Sequence, residues 1–198
     1  MKLVLATQNP KKLKEMNEIL SYLGVEVVSE AELGVRIEVE ETGETFTDNA
    51  RLKATAVMQA TGLPAVADDS GLCVDALNGG PGVYSARFGG EGLDDKGRYT
   101  LLLEMLRGQT DRAAHFHTSI VCAFPNGDEL VCEGECPGTI AFAPMGEGGF
   151  GYDPVFFVPE LRKTFGQLTA EEKASVSHRG KALCAFAAAL DDYLKGNE

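Results

Sequence analysis

The chain has no tryptophan, and its 18 lysines and arginines are outnumbered by 30 aspartates and glutamates, for a formal net charge of −12. This shortage of positive charge argues against the broad basic face that a nucleic-acid backbone requires. It leaves room for one small phosphate ligand held by a few local lysines. Cysteines are few and scattered: Cys73, Cys122, Cys132, Cys136 and Cys184. None has the Cys-x-x-Cys spacing of a zinc knuckle or redox pair, so buried free thiols in a reducing compartment are expected. No apolar run approaches the ~20 residues of a membrane-spanning helix. The start, Met1-Lys2-Leu3-Val4-Leu5-Ala6-Thr7, turns polar too early for a signal peptide. A cytoplasmic location is expected, with no membrane or nucleic-acid partner. Also missing are a Gly-x-x-x-x-Gly-Lys-Ser/Thr loop, a Gly-x-Gly-x-x-Gly after the first apolar run, and the Gly-x-Ser-x-Gly elbow of serine hydrolases.

What is present suits an α/β protein of one domain spanning residues 1–198, with no linker and no internal repeat. Leu3 to Ala6 reads as a buried strand, Thr7-Gln8-Asn9-Pro10-Lys11-Lys12 as a polar turn, and the next stretch as a helix. On that helix Leu13, Met16, Ile19, Leu20 and Leu23 share one face, and Gly24 stops it. A turn that opens a helix attracts phosphate, because free N–H groups and the helix dipole both point at the anion. An acidic cluster around Glu38, Glu40, Glu41 and Glu44 precedes a second helix, with Thr47 or Asp48 as its cap, that carries Lys53.

The apolar run Ala65-Val66-Ala67 then meets Asp68-Asp69-Ser70-Gly71. The expectation is a strand that ends there and delivers two carboxylates to a divalent cation, with Glu40 or Glu41 completing the site. An ordinary Asp-Ser-Gly turn is the alternative. If both aspartates share one site, mutual repulsion raises one pKa. Further on, Asp94 or Asp95 caps a third helix. His115 to Phe124 and Glu129 to Glu135 read as a hairpin, and Thr139 to Ala143 as a further strand. Gly149-Phe150-Gly151-Tyr152-Asp153 offers two aromatic faces and an acceptor. Thr169 to Glu172 has capping-box spacing ahead of Lys173. The basic pair His178-Arg179 starts the last helix, against the preference of the helix dipole, which hints at a ligand. An anion seat, a cation site and a planar-ring platform together suit a nucleotide.

These motifs stand in the order of a known family. Leu5-Ala6-Thr7-Gln8-Asn9-Pro10-Lys11-Lys12, Glu40-Glu41-Thr42-Gly43, Asn49-Ala50-Arg51-Leu52-Lys53-Ala54, Ala67-Asp68-Asp69-Ser70-Gly71-Leu72, Pro81-Gly82-Val83-Tyr84-Ser85-Ala86-Arg87, Gly149-Phe150-Gly151-Tyr152-Asp153-Pro154 and Ser177-His178-Arg179-Gly180-Lys181 resemble the inosine triphosphate pyrophosphatase family, along essentially the whole chain. The resemblance implies an elongated two-lobed α/β fold with a long mixed sheet, a central substrate cleft, and a homodimer. It implies Mg²⁺-dependent hydrolysis of the triphosphates of inosine, deoxyinosine and xanthosine to monophosphate and pyrophosphate, cleansing the nucleotide pool. By motif, Asp69 matches the general base and a metal ligand, Glu40 a second ligand position with Glu41 beside it, and Asp68 a supporting neighbour. Thr7, Gln8, Asn9, Pro10, Lys11, Lys12 and Lys53 match phosphate contacts, and Ser70 a substrate contact. Phe150, Gly151, Tyr152, Asp153, Lys173, His178 and Arg179 match the base-recognition set. A related pyrophosphatase of other base preference, and a nucleotide sensor without turnover, remain open readings. A hydrolase built on Ser70 or a cysteine with His178 is disfavoured by the missing elbow.

Overall fold

A computed structural model of the chain describes residues 1–7, 9–90 and 92–196. In chain order its elements are strand β1 (Lys2–Leu5), helix α1 (Pro10–Leu20), β2 (Glu26–Ser29), α2 (Phe46–Thr61), β3 (Ala65–Val74), α3 (Asp95–Met105), β4 (Ala113–Ala123), β5 (Glu129–Ile140), β6 (Phe156–Val158), β7 (Lys163–Thr164), α4 (Ala170–Val176) and α5 (His178–Gly196). The strands form one seven-stranded sheet in the order β2-β1-β3-β4-β5-β6-β7. It is mixed: β1 is parallel to β2 and β3, while β6 is antiparallel to β5 and β7. Among the described residues no helix is long and apolar enough to cross a membrane.

The chain divides into two compact units. The first takes the residues up to Asp69, Thr118–Gly134 and the chain from Lys181 on; the second takes Ser70–His117 and Glu135–Gly180. In the first, Leu3, Leu5, Val66, Ile120 and Cys122 pack with Met16 and Leu20 of α1 and with Leu183, Phe186 and Leu190 of α5. The expected α1 stripe is observed, with Leu13, Ile19 and Leu23 partly buried against the same cluster. The alternate positions Ala67, Val121 and Ala123 pack on Ala50 and Ala54, small residues that let α2 lie close. In the second unit Leu72, Val74, Phe116, Ile140, Phe156 and Phe165 pack with Leu102 and Leu106.

Four expectations need correction. The strand carrying the aspartates does not end at them: β3 runs on through Ser70 and Gly71 to Val74. Leu72 and Val74 belong to the second core, and their burial keeps extended a stretch whose local chemistry favours a turn. Thr139 and Ile140 are the end of β5, paired with Phe157 and Phe156, and start no new strand. Gly138, just before them, is a close approach: a Cβ there would lie 2.6 Å from the Phe156 ring and the Phe157 carbonyl. The cap of α2 is Thr45, in a reciprocal capping box with Asp48, not Thr47 or Asp48. Finally, none of the five cysteines is in a disulfide, but only Cys122, Cys132 and Cys136 are buried. Cys184 lies off the buried stripe of α5.

Candidate active site

In the first unit the turn after β1 closes on itself. The Asn9 N–H donates to Thr7 Oγ1 (3.2 Å), and Asn9 Oδ1 accepts from the Lys11 N–H (3.0 Å). Pro10 stands in the first turn of α1, where its missing N–H costs nothing. Gln8 lies outside the described residues. Lys11 is exposed, whereas Lys12 reaches across to Asp68, Nζ to Oδ2 2.7 Å. The turn also walls one side of an open pocket of about 490 Å³, whose other side includes Ser29, Glu30 and Arg36.

Asp68 and Asp69 are consecutive on a strand, so they point to opposite faces of the sheet. Asp68 is buried against Lys12. Asp69 turns toward α2, where Asn49 and Lys53 stand one helical turn apart on one face. Lys53 Nζ donates to Glu41 Oε1 at 2.9 Å and to Asp69 Oδ1 at 3.3 Å. The Asn49 amide donates to Asp69 Oδ2 (3.2 Å), and its oxygen accepts from the Gly43 N–H (2.8 Å). One fully buried asparagine thus ties the acidic loop to Asp69. Gly43 is required there: a Cβ would stand 2.7 Å from the Asn49 oxygen.

Burial pushes the Asp69 carboxyl above its usual range, and the Glu41 carboxylate adds to the rise; Lys53 and Asn49 only partly offset it. The repelling neighbour is therefore Glu41, which corrects the expectation that Asp68 perturbs Asp69. Burial works against the Lys53 charge, but Asp69 and Glu41 outweigh it and hold its pKa above normal. Of the two candidate glutamates, Glu41 shares a cation with Asp69, while Glu40 is exposed. Among the described residues no group of three or more His, Cys, Asp or Glu stands ready for a metal. Two carboxylates that already share a cation nevertheless suit Mg²⁺, which commonly binds through one or two carboxylates plus waters and substrate phosphates.

In the second unit the glycine-rich stretch wraps around one acid. Asp153 is buried and accepts from the Phe150 N–H (2.9 Å) and from Lys173 Nζ (2.5 Å). Burial raises its pKa, and Lys173 partly offsets the rise. Gly149 has φ +80°, and a Cβ there would run into the Asp153 carboxylate. The Lys173 ammonium sits 4.8 Å from the Phe150 ring centroid and 5.1 Å from that of Phe165. Phe150 is 77% exposed, a large apolar ring left in solvent. Tyr152 departs from expectation. It is 5% exposed, lies in the second core, and donates its hydroxyl to the Ser85 carbonyl at 2.8 Å, so it offers no open face. Burial pushes its pKa to about 12.

The His178 ring stacks on Phe116, 4.7 Å between centroids and 11° between planes, which places Arg179 half-buried beside it. Among the described residues His115 and His117 belong to no metal cluster: His117 Nδ1 lies 3.1 Å from Glu135 Oε1 on β5. Sequence reasoning picked Lys53, Asp69, Asp153, Lys173 and His178 but not the groups that fix them. For Asn49 a signal existed, its four-residue spacing from Lys53. Ser85 stands in the motif of residues 81–87, but nothing local tied it to Tyr152, and for Phe116, distant in sequence, there was no signal.

A model of the Ham1 family matches residues 3–189 of the chain. A dITP/XTP pyrophosphatase of Exiguobacterium sp. is 50% identical over 196 residues, 99% of this chain and 100% of that one. One from Thermus thermophilus is 52% identical over 194 residues, 97% of this chain and 93% of that one. The solved Ham1 protein of Staphylococcus aureus superposes with a TM-score of 0.91 at 41% identity, covering 100% of both chains. That of Coxiella burnetii gives 0.93 at 43% identity, over 97% of this chain and 99% of the other. The mixed α/β fold is thus one these solved proteins share.

Proposed function

The chain belongs to the Ham1 family, and from that premise we propose that it hydrolyses non-standard purine nucleoside triphosphates (ITP, dITP and XTP) to the monophosphate and pyrophosphate. This is the work of a house-cleaning enzyme of the cytoplasmic nucleotide pool, and a homodimer is proposed with it. The observation that carries the proposal is the Lys53-centred group: one ammonium held by Asp69 and Glu41, with Asn49 fixing Asp69 from the other side. Asp69 and Glu41, with Glu40 nearby in the chain, would hold Mg²⁺, which supplies neutralisation of the phosphate charge. Lys12 and Lys53 carry their charge on carboxylates that a triphosphate would replace as partners. Passing Lys53 to a phosphate oxygen releases Asp69 as an acceptor, and its raised pKa suits it to take the proton of the attacking water. The same lysines, with Lys11 and the turn from Thr7, stabilise the negative charge on the departing pyrophosphate. Ser70, next on β3, is a further substrate contact.

The second unit's residues supply base choice. The Phe150 ring is free to stack on a purine. Lys173 and Arg179 are donors, which suit the 6-oxo group of hypoxanthine and xanthine. An adenine amine against such a donor leaves polar groups unpaired, at a cost of about 1–3 kcal/mol. The test is to incubate the protein with ITP or ATP, with and without Mg²⁺, and identify the phosphate product. Pyrophosphate from ITP and not from ATP, only with Mg²⁺, is the expected result. Orthophosphate as the primary product overturns the reading, and tight binding of ITP without turnover converts it to a nucleotide sensor.

A further inference from the structure

Within the second unit a carboxylate far away in sequence grips the aromatic loop. Asp95 is the first residue of α3, directly after the cap Asp94, whose own carboxylate is used on the Gly97 N–H at 2.7 Å. Asp95 therefore has no capping duty. Its Oδ2 instead accepts from the Gly151 N–H at 2.7 Å, while its Oδ1 takes Arg98 Nη1 at 3.3 Å. Gly151 sits between Phe150 and Tyr152 at φ +59°, with no atom within 4 Å of the place a Cβ would take. The side of this residue that a Cβ would take is therefore unpacked.

The loop is secured on either side of it. Asp153 binds the Phe150 N–H and Lys173, and Tyr152 is sunk in the core with its hydroxyl on Ser85. Phe150 itself is 77% exposed, and the contact on its ring is the Lys173 ammonium, 4.8 Å from the centroid. The direction in which the Phe150 ring leaves the loop then depends on the peptide that follows it, which is held at two points: its carbonyl accepts from the Asp153 N–H at 3.1 Å, and its N–H is held by Asp95.

We propose that Asp95 is a positioning residue: through the Gly151 N–H it fixes the peptide after Phe150 and so sets the angle at which that ring meets a planar ligand. The inference rests on the reading of Phe150 as the base platform. It assigns Asp95 to ground-state binding rather than to chemistry, so its loss acts on KM. A charged acceptor is not essential to the role, because an amide oxygen takes the same N–H. If Asp95 served only the dipole of α3, the neutral asparagine and the alanine would be equivalent.

The absence of tryptophan from the chain makes a direct measurement possible. Phe150→Trp places a single indole in the loop, and its steady-state anisotropy without ligand reports how firmly the ring is held. Asp95→Ala in that background should lower the anisotropy, and Asp95→Asn should restore it. In the otherwise unmodified protein, Asp95→Ala should raise KM for ITP roughly tenfold with kcat within about twofold, the size expected for losing one hydrogen bond to a charged group. Asp95→Asn should return KM to within about threefold.

Unchanged anisotropy and KM in Asp95→Ala overturn the proposal, as does an asparagine variant that behaves like the alanine. Thermal unfolding of each variant shows whether the fold is intact; a kcat loss that merely tracks lost stability also overturns it. Failure of ITP to quench the introduced indole, or to be turned over by the unmodified protein, would sink the nucleotide reading. The ligand-free anisotropy would still decide whether Asp95 anchors the loop.

Discussion

At the scale of single residues, what matters most is that Asp68 and Asp69 are neighbours in sequence and point to opposite faces of the sheet. One serves Lys12, the other Lys53. Asp69→Asn is expected to lower kcat by roughly 10²–10⁴-fold, the usual contribution of a general base, with nucleotide binding retained. Asp68→Asn is expected to act on KM instead, by freeing the Lys12 ammonium from its buried partner. Steady-state kinetics of the two variants check this, and equal losses of kcat would show that both aspartates serve the chemistry. The sequence showed the pair but not its division, because alternation has meaning only once the strand is known to continue through it. A second residue-scale prediction concerns Asp153, whose pKa is raised in the folded state chiefly by burial. Between the ordinary carboxylate range and that raised value, the folded state keeps a proton the unfolded state has released. Stability attributable to this group is therefore full below the ordinary range and is lost as pH rises through the raised value. Asp153→Asn should remove that component, so the wild-type Tm should fall relative to the variant as pH rises above the ordinary carboxylate range. A constant difference across that window would contradict it.

At the scale of elements, the helices and the short strands β1, β2 and β6 were legible, and the ends of β3 and β5 were not. The α5 stripe of Leu183, Phe186, Ala187 and Leu190 and the Thr169–Glu172 capping box follow from periodicity and spacing, which are local. The length of β3 and the end of β5 depend on what packs against them. Leu72 and Val74 find a second core, and Gly138 admits Phe156, neither of which a window of sequence reveals. The start of α2 lies between these cases. Thr45 and Asp48 have the right spacing, but Thr47 and Asp48 compete as caps by composition. The box at Thr45 orients the helix that presents Asn49 and Lys53. Its Oγ1 accepts from the Asp48 N–H at 3.1 Å. Thr45→Ala should therefore cost about 1 kcal/mol in urea unfolding, and Thr47→Ala should leave the cap intact, although it loses a bond to Ser119. A cap loss from the second variant and not the first, read from the helical signal of isolated peptides spanning residues 43–62, would reverse the assignment.

At the scale of the whole molecule, two fields of opposite sign act on a triphosphate. The chain carries −12, which repels it at long range. Lys11, Lys12 and Lys53 attract it at contact, and two of these, Lys12 and Lys53, are half-buried. Salt treats the two unequally. The Debye length shrinks from about 30 Å at 0.01 M to about 10 Å at 0.1 M, which removes long-range repulsion while half-buried contacts are screened much less. A triphosphate-binding protein of this charge should thus gain from moderate salt. At constant free Mg²⁺, kcat/KM for ITP is expected to rise as ionic strength goes from about 0.01 to 0.1 M. It should level off once the Debye length falls to the size of the site itself. This is the reverse of the steep loss that a basic, phosphate-tracking surface shows. A monotonic fall over the same range would mean that the local lysines control the approach of substrate as well as its capture.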